Sequence, residues 1–190
     1  MIKDMLIDGQ LKKSFKDLII NEKYNNNMWG RRYERISKSI SLIDEYYRIL
    51  ENFKNMNVLD IGCSSGFFSF LISDIANCVG IDVSEVSIQF ANKLKNNLQT
   101  SNVNFIHKGI GKFVEDDDHS SLNIDAIFAH KSLGQIIKTD KEIKSLISII
   151  NSMKIIISSG NYLGNYLNSN YFDILKIENT KIYIYLKNNK

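Results

Sequence analysis

The sequence predicts an α/β protein: a doubly wound, mostly parallel seven-stranded sheet with an antiparallel last strand and an N-terminal helical cap. Three observations predict it. From residue 58 onward, short apolar runs alternate with segments of helical periodicity. A glycine-bearing turn joins the first of these runs directly to a helix. The last two strand-like runs lie only a few residues apart, too close for a parallel crossover.

The elements follow in order. Residues 10–23 place Leu11, Phe15, Leu18 and Ile19 at helical spacing, and residues 31–53 do the same with Ile36, Ile40, Ile43, Tyr47 and Leu50. Between them Asn25-Asn26-Asn27 breaks the pattern and reads as a loop. After Asn55 the period changes. Residues 58–61 form a short apolar run ending at Gly62, a buried strand entering a turn. A helix over 67–76 precedes a strand over 78–82, and Ser84 is a suitable N-cap for a helix reaching about residue 98. A strand over 103–107, an acidic run at 115–118 that reads as a solvated loop, and a strand over 124–129 come next. An isoleucine-rich helix over 141–151 leads to a fifth strand over 153–158. Strands over 171–177 and 181–186 close as a hairpin around Asn179-Thr180. This divides one domain into a helical cap or lid at 1–54 and a binding core at 55–190.

Composition narrows the function. With 190 residues, 44% hydrophobic and 24% charged, the chain is not wholly disordered. A net charge of +3 is a small basic excess, so nucleic acid is not indicated as a partner, though charge alone does not exclude it. No apolar run reaches the roughly eighteen residues of a membrane-spanning helix. The first residues carry Asp4 and Asp8 without a long apolar stretch, unlike a signal peptide. Cys63 and Cys78 are too few for a disulfide framework or a Cys-based zinc site, and no metal-ligand set is visible. The expectation is a cytoplasmic protein.

The binding signal is the turn after the first strand, with Gly62, Ser64 and Gly66. Glycine permits positive φ and lets a ligand approach without a Cβ in the way. Asp82 stands twenty residues beyond Gly62, at the end of the second strand, where a carboxylate can accept both hydroxyl hydrogens of a ribose. The dinucleotide fingerprint would need glycines at 62, 64 and 67, yet Ser64 and bulky Phe67 occupy two of those positions. Asp60 would also bring negative charge toward a pyrophosphate. A cationic sulfonium suits such a turn better.

Here the sequence resembles the class I S-adenosylmethionine-dependent methyltransferases. Val58-Leu59-Asp60-Ile61-Gly62-Cys63-Ser64-Ser65-Gly66 resembles the family's first motif, with Ser64 at the usual middle glycine. Val79-Gly80-Ile81-Asp82-Val83-Ser84 resembles the second, whose acid binds ribose and whose next residue packs on adenine. The stretch from Val103 to Ile110 resembles the third, and Asp125-Ala126-Ile127-Phe128-Ala129 the fourth strand, whose end faces the methionine moiety. The resemblance spans residues 55–187. It implies a Rossmann-like fold, S-adenosylmethionine as cofactor and S-adenosylhomocysteine as product. It also implies a cofactor site built from Asp60, Ile61, Gly62, Cys63, Ser64, Gly66, Asp82, Val83, Gly109, Ile110 and Ala129. Two departures stand out. Ile110 replaces the acid that in many members receives the adenine amino group, leaving its backbone and packing to hold the base. His130-Lys131-Ser132-Leu133 stands where many nucleic-acid N-methylating members carry an Asn-Pro-Pro-Tyr type box.

Each residue also has a plainer reading. Gly62 and Gly66 are then ordinary turn glycines, Asp82 a helix cap, Cys63 a small core residue and Lys131 a surface charge. His130 is either a satisfied turn residue or an acid–base group beside the sulfonium, deprotonating or orienting an acceptor. His107 and His119 are read as lying away from the crevice or in the acidic loop. Trp29, the only tryptophan, with Arg31 and Arg32 forms a candidate lid, an apolar face with a fork for the methionyl carboxylate. The expected reaction is methyl transfer to a nucleophile on a small metabolite or sugar-like acceptor. The alternatives are an RNA or DNA methyltransferase, or a non-catalytic S-adenosylmethionine-binding partner protein. An RNA ribose set of Lys38, Asp125, Lys154 and Glu178 is conceivable, but Asp125 falls at the wrong end of its strand.

Overall fold

The computed structural model describes residues 2–11, 13–14, 16–17, 40–136, 139–160, 162–163, 166–167, 172–177 and 181–188. Seven strands form one sheet: β1 (Asn57–Ile61), β2 (Asn77–Asp82), β3 (Val103–His107), β4 (Ala126–Ala129), β5 (Ile155–Ser159), β6 (Phe172–Lys176) and β7 (Ile182–Lys187). Their order is β3-β2-β1-β4-β5-β7-β6. The pairs β1–β2, β1–β4, β2–β3 and β4–β5 are parallel, and β7 runs antiparallel to both β5 and β6. This is the expected Rossmann-like arrangement.

The α-helices bounded within the described residues are α1 (Ile2–Ile7), α2 (Ile40–Leu50), α3 (Phe67–Ile72), α4 (Glu85–Leu98), α5 (Ile110–Glu115), α6 (Asp118–Ser121), α7 (Leu133–Ile136) and α8 (Asp140–Ile150). Both faces of the sheet are covered because its strands alternate their side chains between two apolar layers. Val58, Cys78, Ala126, Phe128 and Ile157 point to the face that also buries Ile2 and Leu6 of α1, Ile43 of α2, α3, and Ile88 and Leu94 of α4. Leu59, Ile61, Ile81, Ile127 and Ile156 point to the other face, against Ile110 and Phe113 of α5 and Leu146 and Ile150 of α8.

Local chemistry sets the helix ends. Ser84 caps α4 by accepting from the Ser87 amide at 3.3 Å. Thr139 and Glu142 form a reciprocal capping box on α8. The helix expected over 67–76 ends at Ile72, where Asp74 turns back to tie the N-terminal helices down. Its carboxylate accepts from the amides of Ile2 and Lys3 at 2.8 and 2.7 Å and from the Tyr47 hydroxyl at 2.9 Å. Burial pushes the Tyr47 hydroxyl up and the Asp74 charge adds to it, so it stays a donor.

Residues 115–117 are exposed, as expected of a solvated segment, but the run joins two short helices and is ion-paired. Residues 115–118 bridge α5 and α6, and Lys108 Nζ lies 2.9 Å from Asp116 and 2.5 Å from Asp118. The carboxylates fold back because one lysine at the end of β3 serves both. Lys112 adds a second cation to Asp116, at 2.6 Å. The fourth strand begins at Ala126, two residues later than expected, because Asp125 is taken by a latch at the amino edge of the sheet. Asp125 accepts from the Asn57 amide at 3.0 Å and from Lys154 Nζ at 2.6 Å. Burial acts to raise this carboxyl, but these two donors overcome it and hold it below the usual range.

No helix among the described residues is long and apolar enough to cross a membrane.

Candidate active site

In an open parallel sheet the ligand crevice forms where the chain reverses its direction of winding. Here that place is β1. The chain leaves β1 for β2 and β3 on one side, then returns to β4 on the other. The helices that follow β1 and β4 pack on opposite faces of the sheet, α3 on one and α8 on the other, which leaves a crevice between the two connections.

The turn after β1 is built on its neighbour. The amides of Gly62 and Cys63 both donate to the Ile81 carbonyl, at 2.9 and 3.1 Å, and Gly66 closes the turn onto the Cys63 carbonyl at 3.0 Å. Gly62 and Gly66 have φ of 72° and 83°. A Cβ on Gly66 would stand 2.5 Å from the Phe105 ring, so core packing as well as backbone geometry demands glycine there. Asp60 is buried beneath the turn and accepts from Ser69 Oγ of α3 at 2.6 Å. Burial, then the Asp60 charge, pushes the Cys63 and Cys78 thiols well up, so neither sulfur is poised as a nucleophile.

Ser64 takes φ of 54° at the middle position of the turn. A left-handed conformation strains an L-residue, whereas glycine adopts it freely. Ser64→Gly is therefore expected to raise stability by about 0.5–1 kcal/mol, the left-handed penalty less the extra chain entropy of glycine. A urea titration checks this: the midpoint should rise with an unchanged slope. A lowered midpoint would mean that the serine side chain contributes more than its backbone costs.

Asp82 joins two loops. Its Oδ2 accepts from the Ser64 amide and its Oδ1 from the Ser84 amide, each at 2.8 Å. The helix cap itself is Ser84, and Asp82 braces it through its amide; each carboxylate oxygen can accept more than one hydrogen. Next to it, Val83 is 71% exposed, a large apolar side chain held out of the core. A Cβ on Gly109 would come within 3.1 Å of Val83 Cγ1, so the third loop passes tightly behind it. Gly109 caps α5, and the Ile110 side chain is buried in the core, leaving only backbone to face the crevice.

Across the switch point stand Ala129 and His130. Ala129 is fully buried. His130 is 7% exposed, with its ring 4.5 Å from that of Phe68 and stacked 6.4 Å from that of Phe128. The following turn is stitched to both neighbours. Ser132 Oγ donates to the Ile61 carbonyl at 2.5 Å, and the Lys131 amide donates to Ser159 Oγ. Lys131 is exposed, with φ of 58°. The side chains of Ile61 and Ala129 belong to the core, so each offers only backbone to the crevice, and the Ile61 carbonyl already serves Ser132.

The structure thus gathers Gly62, Ser64, Gly66, Asp82, Val83, Gly109, Ile110 and His130 around one set of loops. Trp29, Arg31 and Arg32 lie outside the described residues. Of the conceivable RNA ribose set, Lys38 and Glu178 lie outside them too, while Asp125 and Lys154 pair at the opposite edge of the sheet. His107 corrects the sequence reading. It ends β3 opposite Asp82, with Nε2 2.9 Å from the Val83 carbonyl, beside the crevice rather than away from it. Ser132 and Ser159 were missed, since a hydroxyl meeting a carbonyl 71 residues away leaves no local pattern. No group of three or more His, Cys, Asp or Glu among the described residues is placed to hold a metal.

Residues 52–183 match the family model described as a methyltransferase domain. The chain belongs to that family. It is a class I methyltransferase, with S-adenosylmethionine as cofactor. None of the curated proteins matches its sequence. Solved structures share its fold at low identity. A SAM dependent methyltransferase from Aquifex aeolicus is 16% identical over 75% of this chain and 87% of that one, with a TM-score of 0.54. An rRNA methylase from Streptococcus thermophilus is 14% identical over 76% of this chain and 95% of that one, with a TM-score of 0.55. The bifunctional kinase-methyltransferase WbdD is 18% identical over 77% of this methyltransferase, which spans only 37% of that chain, with a TM-score of 0.52.

Proposed function

We propose that this methyltransferase acts on a small metabolite or sugar-like acceptor, with Asp82 holding the cofactor ribose and His130 serving the acceptor. The observation that carries the reading is the pairing of two unlike walls at one switch point. One wall has a carboxylate and an exposed valine, Asp82 and Val83; the other has an imidazole packed beside Phe68 and parallel to Phe128. The residues present fit the cofactor. At the turn, Gly62 is half-buried and carries no Cβ to bar a ligand, and Asp82 keeps accepting capacity for ribose hydroxyls.

When bound, S-adenosylmethionine supplies a methyl group on a sulfonium, open to in-line displacement. The protein's part is positioning and proton management. Asp82 accepts from the ribose, Val83 presents an apolar face to the base, and the backbone at Ile110 borders its edge. His130 orients the acceptor or takes its proton at an imidazole nitrogen. The burial of His130, only 7% exposed beside the Phe68 ring, favours a small acceptor.

The test is to incubate the enzyme with methyl-labelled S-adenosylmethionine and either a small-molecule extract or total RNA. Label is expected in the small-molecule fraction. Label confined to RNA overturns the acceptor class, and no cofactor binding by calorimetry overturns the site.

A further inference from the structure

We propose that His107 is a positioning residue for the nucleoside half of the cofactor, acting through the Val83 carbonyl; this rests on the cofactor site described above. Four observations support it. His107 is the last residue of β3 and is paired across the sheet with Asp82, so its ring stands next to the turn that leaves β2. A carbonyl oxygen can only accept, so at 2.9 Å His107 Nε2 carries the hydrogen and donates it to Val83. That bond fixes the backbone immediately after the ribose-facing carboxylate, whose two oxygens are engaged by the Ser64 and Ser84 amides. Finally, Val83 is 71% exposed and Gly109 runs close behind it, so this side chain is presented outward as the wall of a slot rather than buried.

Position 110 sharpens the need for such a fixture. Ile110 turns its side chain into the core and offers no side-chain acceptor to an adenine amino group. Recognition of the base therefore depends on the shape of the slot, and a slot made by a short turn is only as defined as the bonds that hold that turn. His107 ties the Val83 peptide to the end of β3, the strand that leads into Gly109 and Ile110. It thus sets the spacing between the two walls that face the base. It does not touch the reacting atoms.

The experiment is calorimetry with S-adenosylhomocysteine and with 5′-methylthioadenosine, which retains base and ribose but lacks the amino acid. Wild type is compared with His107→Phe, His107→Ala and His107→Gln. Phenylalanine keeps the ring without the donor, and glutamine restores a donor of similar reach. The donorless variants are expected to bind both ligands about three- to tenfold more weakly, as befits one exposed hydrogen bond. The glutamine variant should recover most of that loss. An equal loss for both ligands assigns the effect to the nucleoside half. If His107→Phe and His107→Ala bind as wild type does, or if glutamine recovers nothing while its thermal midpoint matches wild type, the proposal is overturned. Wild type binding neither ligand would instead overturn the cofactor site itself.

Discussion

His130→Asn is expected to lower kcat by about 10²–10⁴-fold, the usual contribution of one positioned acid–base group. Dissociation of S-adenosylhomocysteine should change little, because His130 stands across the switch point from Asp82 and Val83. The imidazole is at the end of β4, followed by a turn that Ser132 and Ser159 bind to β1 and β5. Its ring is buried and packs against Phe68, so a proton acceptor there is held with little freedom to lose. Asparagine keeps a polar group of smaller volume and avoids placing a charge among the aromatic rings. Single-turnover methylation and calorimetry on the same variant separate the two effects. A rate within tenfold of wild type would make His130 a packing residue of the β4 end, and the acceptor's proton would have to leave by another route.

Asp82→Ala is expected to weaken S-adenosylhomocysteine binding by about 1.5–3 kcal/mol, the range for hydrogen bonds to a charged group. The same change removes the acceptor for two backbone amides, Ser64 on one loop and Ser84 on the other. Both loops border water, so solvent replaces part of what is lost, and a stability cost of about 1–2 kcal/mol is expected. The two effects share a cause, since the carboxylate proposed to face the ribose also accepts from the Ser64 amide of the glycine turn. Calorimetry on the variant, with its denaturant midpoint measured alongside, tests the pair. A folded variant with unchanged affinity would reduce Asp82 to a cap on two loops.

Much of this was legible in the sequence. The strand-to-helix turn at Gly62, the Ser84 cap and the final hairpin are all written in neighbouring residues, as spacing, capping chemistry and connection length. So is the sheet's coverage on both faces, because continuous apolar runs such as Val58-Leu59 and Ile155-Ile156-Ile157 have no polar side to turn to water. The exposure of the acidic run was legible in its charge pattern, but its ion pairs were not, because the lysine that gathers Asp116 and Asp118 comes from the end of β3.

What the sequence by itself determined was the order of the seven strands and the glycine-bearing turn after the first. The helices at Ile2–Ile7, Ile110–Glu115, Asp118–Ser121 and Leu133–Ile136 were not legible in it. Only the tertiary structure decided which groups secure the crevice. Phe105 behind Gly66, Ser132 on the Ile61 carbonyl and His107 on the Val83 carbonyl join residues 24 to 71 positions apart. The physical reason is that periodicity and capping act within a turn or two of chain, whereas these bonds exist only once parallel strands have brought distant loops to the same edge of the sheet.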